Sequence, residues 1–97
     1  MIVEVLYFTS KNCGPCASFK NKWKEITKNN NESLEDIHNI KSIKYKKISY
    51  EKNKEYFIKY KIKSMPTILI LVNGDKKECL SGLDNVNKID KYLLKYL

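Results

Sequence analysis

The sequence predicts a single α/β domain over residues 1–97, with element order β-α-β-α-β-β-α and a four-stranded mixed sheet flanked by helices. Three observations predict it. Ile2 to Phe8 and Thr67 to Val72 are short, strongly apolar runs that read as buried strands. Residues 17–28 have helical composition, with Phe19, Trp23 and Ile26 spaced at four and three. Asn73-Gly74, between two strand-like runs, is the signature of a tight hairpin.

The elements follow in order. A strand at 2–8 leads into a helix at 14–28, and a strand at 44–49 comes next. A right-handed crossover makes these two strands parallel. A connecting helix at 52–60 precedes strands at 67–72 and 76–81, joined by the hairpin. A last helix at 85–96 carries the apolar stripe Val86, Ile89, Leu93 and Leu97, with Asp84 or Asn85 able to cap it. Between the first helix and second strand lies a polar stretch, residues 29–40. Its Asn29-Asn30-Asn31 triplet should break the first helix. Asn31 or Ser33 could cap a short second piece with Leu34, Ile37 and Ile40 on one face. That stretch reads as a surface insertion, with a partner-specific element as the alternative.

Length and composition bound the function. Ninety-seven residues make one domain with one modest core. The longest apolar runs are too short to span a bilayer. Met1 leads directly into a strand containing Glu4, without the basic start of a signal peptide, so the expected location is the cytoplasm. The net charge is +8 and all 19 basic residues are lysine. Such charge attracts nucleic acid or acidic partners. The lysines are scattered from 11 to 95, and none of the bidentate guanidinium groups suited to base and phosphate recognition is present. Abundant Lys, Asn, Ile and Tyr with no Arg point to compositional bias, and nucleic acid is not an expected partner. Tyr45, Tyr50, Tyr56 and Tyr60 read as packing residues under the same bias.

Cys13-Gly14-Pro15-Cys16 carries the chemistry. Two cysteines two residues apart can close a small disulfide, and in a reducing compartment the pair is catalytic or metal-binding rather than structural. Its place is where a strand turns into a helix. A thiolate there faces unpaired backbone N–H groups and the positive end of the helix dipole, which lowers a cysteine pKa. The spacing separates the roles: Cys13, nearer the loop, can be exposed and attack, while Cys16, one turn in, can be shielded. Pro15 fits the first turn, where its missing N–H costs nothing. A zinc site needs four ligands. His38 and Cys79 lie on segments the fold should hold apart from 13–16, so no metal is expected. Cys79, in the predicted edge strand, reads as a free, inert, partly buried thiol.

In these residues the chain resembles the thioredoxin family. Cys-Gly-Pro-Cys is that family's active-site sequence. Met65-Pro66-Thr67, with the apolar run to Val72 and Asn73-Gly74, looks like its cis-proline segment, central strand and hairpin. Lys59-Tyr60-Lys61-Ile62 is similar to its Lys-Tyr-x-Ile, and Ser81-Gly82 before a terminal helix also fits. The resemblance covers residues 2–28 and 45–97. It implies a thioredoxin-like fold, Cys13 as nucleophile, Cys16 as resolving thiol, Gly14 and Pro15 as supporting residues, and Met65 and Pro66 as a ledge that docks extended substrate. A cis Met65–Pro66 bond packed on the dithiol is part of that implication. So are disulfide-containing protein substrates, a thioredoxin reductase or another thiol donor, no cofactor, and a monomer.

The sequence also departs from the family. It begins at the strand leading to the active site, where most thioredoxins carry an extra strand and helix, a topology closer to glutaredoxins. The link holding residues 29–40 is longer than in most members. Asn12 stands where most have Trp, and Tyr7 where many have a buried Asp that serves the resolving cysteine. Tyr7 reads as core with its hydroxyl satisfied locally. Lys47 matches a family lysine near the site and would favour thiolates if it points inward. The function these features imply is reduction of protein disulfides by dithiol exchange. Two alternatives stay open: a glutathione-linked, glutaredoxin-like reductase, and a non-catalytic binding subunit.

Overall fold

The computed structural model describes residues 2–27, 37–40 and 43–96. Strand β1 spans Val3–Thr9 and helix α1 Gly14–Thr27. Strands β2 (Ile37–Ile40) and β3 (Ile43–Ser49) precede helix α2 (Lys54–Lys59). Strands β4 (Thr67–Val72) and β5 (Asp75–Ser81) lead to helices α3 (Leu83–Val86) and α4 (Ile89–Leu93). The sheet runs β2-β3-β1-β4-β5. β1 and β3 are parallel, with Tyr7 opposite Lys47. β4 is antiparallel to both β1 and β5, with Thr67 opposite Phe8 on one side and Ser81 on the other.

The central strands are apolar on both faces because both faces are covered. On one, Val5, Tyr7, Tyr45, Ile68, Ile70 and Leu80 pack with Phe19 and Trp23 of α1 and with Val86, Ile89 and Leu93. On the other, Leu6, Phe8, Ile48, Leu69 and Leu71 pack with Phe57 of α2. Phe8 and Phe19 are fully buried, and deleting either ring would cost about 3–5 kcal/mol. The hairpin holds Asn73 at φ 52° and Gly74 at φ 87°, the two positive angles a tight turn between twisted strands requires. The same turn ties down the start of β1: the Ile2 N–H donates to Asn73 Oδ1 at 2.9 Å, and the Asn73 N–H to the Ile2 carbonyl at 2.7 Å.

The expected four-stranded mixed core, β3-β1-β4-β5, is present, and a fifth strand extends it. Ile37 and Ile40 do not lie on a short helix as expected. They bound β2, antiparallel to β3. An isolated helical turn is unstable, whereas the open edge of β3 offers a ready ladder. The expected caps Asn31 and Ser33, and Leu34, fall outside the described residues. The last helix is also not continuous. It divides into α3 and α4, joined by tight three-residue hydrogen bonds from the Lys88 N–H to the Asn85 carbonyl and from the Lys91 N–H to the Lys88 carbonyl, both 3.0 Å. Asn85 and Asn87 are weak helix formers at that point. The first turn starts after Gly82, at φ 88°, and not at Asp84 or Asn85. Val86, Ile89 and Leu93 are buried as the stripe implied, and Leu97 lies outside the described residues.

Among the described residues, one helix of six residues, α2, lies on the Phe57 side, and it leaves the outer part of that face open over β5. Cys79 is therefore exposed and not partly buried as the sequence suggested.

Candidate active site

The dithiol is built by the way α1 begins. Cys13 is its N-cap residue: its carbonyl accepts the first helical bond, from the Ala17 N–H at 3.2 Å. Its side chain caps as well, since the Cys16 N–H donates to Cys13 Sγ at 3.1 Å. A sulfur thus takes the place of the oxygen that usually satisfies one of a helix's free amides. Pro15, in the first turn, has no amide to leave unpaired. Cys13 and Cys16 form a disulfide, with S–S 2.08 Å and Cα–Cα 5.2 Å. Cys13 is partly exposed, whereas Cys16 is 4% exposed. Gly14 and Pro15 are exposed between them. When the pair is reduced, negative charge on Cys13 meets the Cys16 N–H and the helix dipole.

Tyr7 lies beneath this helix. It is 3% exposed, its ring packs on Phe19 and Trp23, and its hydroxyl donates to the Cys16 carbonyl at 3.4 Å. Burial pushes its pKa above the ordinary tyrosine value, and a hydrogen bond with Thr9 offsets part of the rise. The locally satisfied core residue read from the sequence is what stands there.

The Met65–Pro66 peptide bond is cis. Pro66 is buried and Met65 packs at the edge of the Phe57 cluster. The turn is fixed from both sides. Thr67 Oγ1 donates to the Ser64 carbonyl at 2.8 Å, and the Gly82 N–H donates to the Pro66 carbonyl at 2.9 Å. Because Thr67 pairs with Phe8, this turn stands at the end of β1 from which residues 10–12 run to Cys13. Dithiol and proline turn share the carboxyl end of the parallel strands, where α/β sheets place their sites. Lys47 lies opposite Tyr7 in β3 and is exposed. Asn12 is exposed beside Cys13.

One feature at the site escaped the sequence reading. Ser10 Oγ donates to Glu51 Oε2 at 2.5 Å, and the Lys11 N–H donates to Glu51 Oε1 at 3.2 Å. The Asn12 N–H reaches back to Ser10 Oγ at 3.4 Å. Glu51 therefore clips the loop that ends at Cys13. The hydrogen bond from Ser10, above all, holds its carboxyl below the ordinary glutamate value. Ser10 and Glu51 are 41 residues apart, and nothing local to either announces the pair. Among the described residues, no three His, Cys, Asp or Glu side chains gather where a metal ion could be held. Among them too, no helix is long and apolar enough to cross a membrane.

Comparison with known proteins agrees with this geometry. The family model described as Thioredoxin matches residues 2–95. A thioredoxin of Rickettsia bellii (strain RML369-C) is 29% identical over 86 residues, which cover 89% of this chain and 73% of that protein. Reduced Schistosoma mansoni thioredoxin superposes with a TM-score of 0.77 at 25% identity, covering 99% of this chain and 80% of its own. Fasciola hepatica thioredoxin shares the fold with a TM-score of 0.78 at 22% identity, over 99% of this chain and 82% of its own. With its Cys13–Cys16 disulfide capping the first helix, the pairing of a thiol–disulfide oxidoreductase, the chain belongs to the thioredoxin family.

Proposed function

We propose that this protein reduces disulfides in other proteins by dithiol exchange. The observation that carries the reading is the unequal exposure of two cysteines at one helix start, with the Cys16 N–H aimed at Cys13 Sγ. In the reduced protein the Cys13 thiolate attacks one sulfur of a substrate disulfide. The substrate S–S bond breaks, a mixed disulfide forms on Cys13, and the other substrate sulfur leaves as a thiolate that takes up a proton. Cys16 loses its proton and attacks Cys13 Sγ. The Cys13–Cys16 bond forms and the second substrate thiolate departs. The substrate gains two electrons and the protein loses two. A thiol donor, such as a thioredoxin reductase, returns them.

Met65 and Pro66 are the ledge on which the extended substrate docks, and Gly14 and Pro15 let it approach the sulfur. Lys47, exposed opposite Tyr7, has only a long-range electrostatic part in this scheme. The working form is a cytoplasmic monomer without cofactor.

Reduction of insulin with dithiothreitol as donor tests the reading. Cys13→Ser and Cys16→Ser should each abolish turnover, and Cys79→Ser should retain it. Cys16→Ser should also accumulate substrates bound to Cys13. Full turnover by Cys13→Ser, or transfer of reducing equivalents only from glutathione, would refute it.

A further inference from the structure

A groove of about 300 Å³ lies on the α2 side of the sheet, lined by Tyr60 to Ser64, Thr67, Lys76, Cys79 and Ser81. Two features of the chain make it. The short α2 leaves β5 uncovered on that face. An irregularity in β5 then turns a lysine into the groove: Ile70 pairs with Glu78 and Leu71 with Lys76, so Lys77 is the extra residue of a bulge. The bulge puts Lys76 on the same face as Cys79 and Ser81. Its partner Leu71 and Cys79's partner Leu69 both belong to the Phe57 cluster, which identifies that face.

The groove is basic. Lys61, Lys63 and Lys76 line it, all exposed, and no Asp or Glu does. Among the described residues, no carboxylate forms an ion pair with any of the three, whereas Lys22, Lys46 and Lys95 each have one. Lys61 is held in the left-handed region, at φ 55°. It follows α2, where the Lys61 N–H bonds to the Ile58 carbonyl at 3.2 Å and the Ile62 N–H to the Phe57 carbonyl at 2.8 Å. Glycine is the usual residue at that position of such a helix stop. A lysine stands there at a backbone cost of about 1–2 kcal/mol.

The groove is also continuous with the docking ledge. Ser64 and Thr67, the residues flanking Met65 and Pro66, form its wall. An extended chain lying on the ledge runs on into three ammonium groups that have no ion-pair partner among the described residues. The geometry points to a substrate class: disulfide proteins that carry Asp or Glu a few residues from the attacked cystine. This rests on the reading of the protein as a disulfide reductase, and the groove makes the reduction selective for acidic segments.

Two measurements test it. In the oxidised protein Cys79 is the single thiol, because the other two cysteines are bonded to each other. Its alkylation by neutral iodoacetamide reports occupancy of the groove with no disulfide exchange involved. An extended peptide with Asp and Glu around a serine should slow that alkylation about threefold or more at low salt. The protection should fade at about 0.5 M salt, and the Lys-substituted peptide should give none. Absence of protection by the acidic peptide overturns the groove, whatever the protein does to disulfides.

The second measurement is turnover of two disulfide peptides, one with an acidic and one with a neutral flank. The acidic peptide should be preferred about fivefold, and Lys63→Gln/Lys76→Gln should bring the ratio close to one. Lys88→Gln/Lys91→Gln, which removes the same charge elsewhere, should keep the preference. An equal drop in both double variants overturns the proposal in favour of net charge alone. If neither peptide is reduced but the acidic one still protects Cys79, the acidic site stands and the reductase reading falls.

Discussion

Tyr7→Phe separates stability from chemistry at the buried position beneath Cys16. The substitution removes one hydroxyl and keeps the ring, with its contacts to Phe19 at 5.1 Å and Trp23 at 4.8 Å. The lost hydrogen bond, to the Cys16 carbonyl at 3.4 Å, is at the long end of the range. That carbonyl belongs to α1 and also faces an amide four residues on. The cost therefore falls at the low end for a buried hydrogen bond, about 0.5–1 kcal/mol. For a domain of this size it lowers Tm by about 2–8 °C. The chemistry should not follow. Burial keeps the hydroxyl's pKa above the ordinary tyrosine value, so it stays protonated at working pH and cannot accept the Cys16 proton. Solvent is expected to carry that proton instead. Thermal melting by circular dichroism gives the first number. Single-turnover release of substrate from Cys13, followed from about pH 6 to 9, gives the second, expected within about twofold of the parent with an unchanged profile. A tenfold loss, or a shifted profile in a variant that melts as expected, would place Tyr7 on the proton route and refute the reasoning.

In the reduced protein, iodoacetamide should label Cys13 first, the exposed Cys79 next and the 4% exposed Cys16 last, as read by peptide mass spectrometry. Labelling of Cys16 ahead of Cys13 would reverse the assigned roles. Glu51 has a folded pKa below its unfolded one, so its tie to Ser10 and Lys11 is complete at neutral pH and is lost as pH falls below the ordinary glutamate value of about 4.3. The protection of the Lys11 amide, measured against the intrinsic exchange rate at each pH, should fall over that acid window, and Glu51→Gln should show the lower protection already at neutral pH. Lys61→Gly should stabilise the fold by about 0.5–1 kcal/mol, the left-handed strain less the added freedom of the unfolded chain. Denaturant unfolding would show the gain, and a loss of stability would mean the lysine makes compensating contacts.

What could be read from the sequence was what local pattern carries. Val3 to Thr9 and Thr67 to Val72 are largely buried on both faces, and their apolar runs, broken only by Glu4, say so. Asn73 and Gly74 specify their turn by the angles they tolerate. Phe19 and Trp23, four apart, mark the buried face of α1. The dithiol was legible because motif and helix start coincide: the four residues that hold the two thiols also hold the cap and the proline that begin the helix. The break between α3 and α4 is a weaker mark, since Asn85 and Asn87 lower helix propensity without forbidding it.

The rest depends on partners remote in the chain. β2 exists because β3 has an edge to fill, and four residues with two isoleucines look as much like a helical turn as a strand. Glu51 reaches the active-site loop only because β1 and β3 end side by side, with the Tyr50 N–H on the Thr9 carbonyl at 2.9 Å. The basic groove is hidden for a different reason. Strict alternation along β5 would place Lys77 with Cys79 and Ser81 and turn Lys76 to the other face. One bulged residue reverses that, and a bulge between ordinary polar residues leaves no mark in composition. The charge that distinguishes this surface thus depends on strand register, and scattered lysines that look like compositional bias in the sequence converge beside the cis-proline turn in the fold.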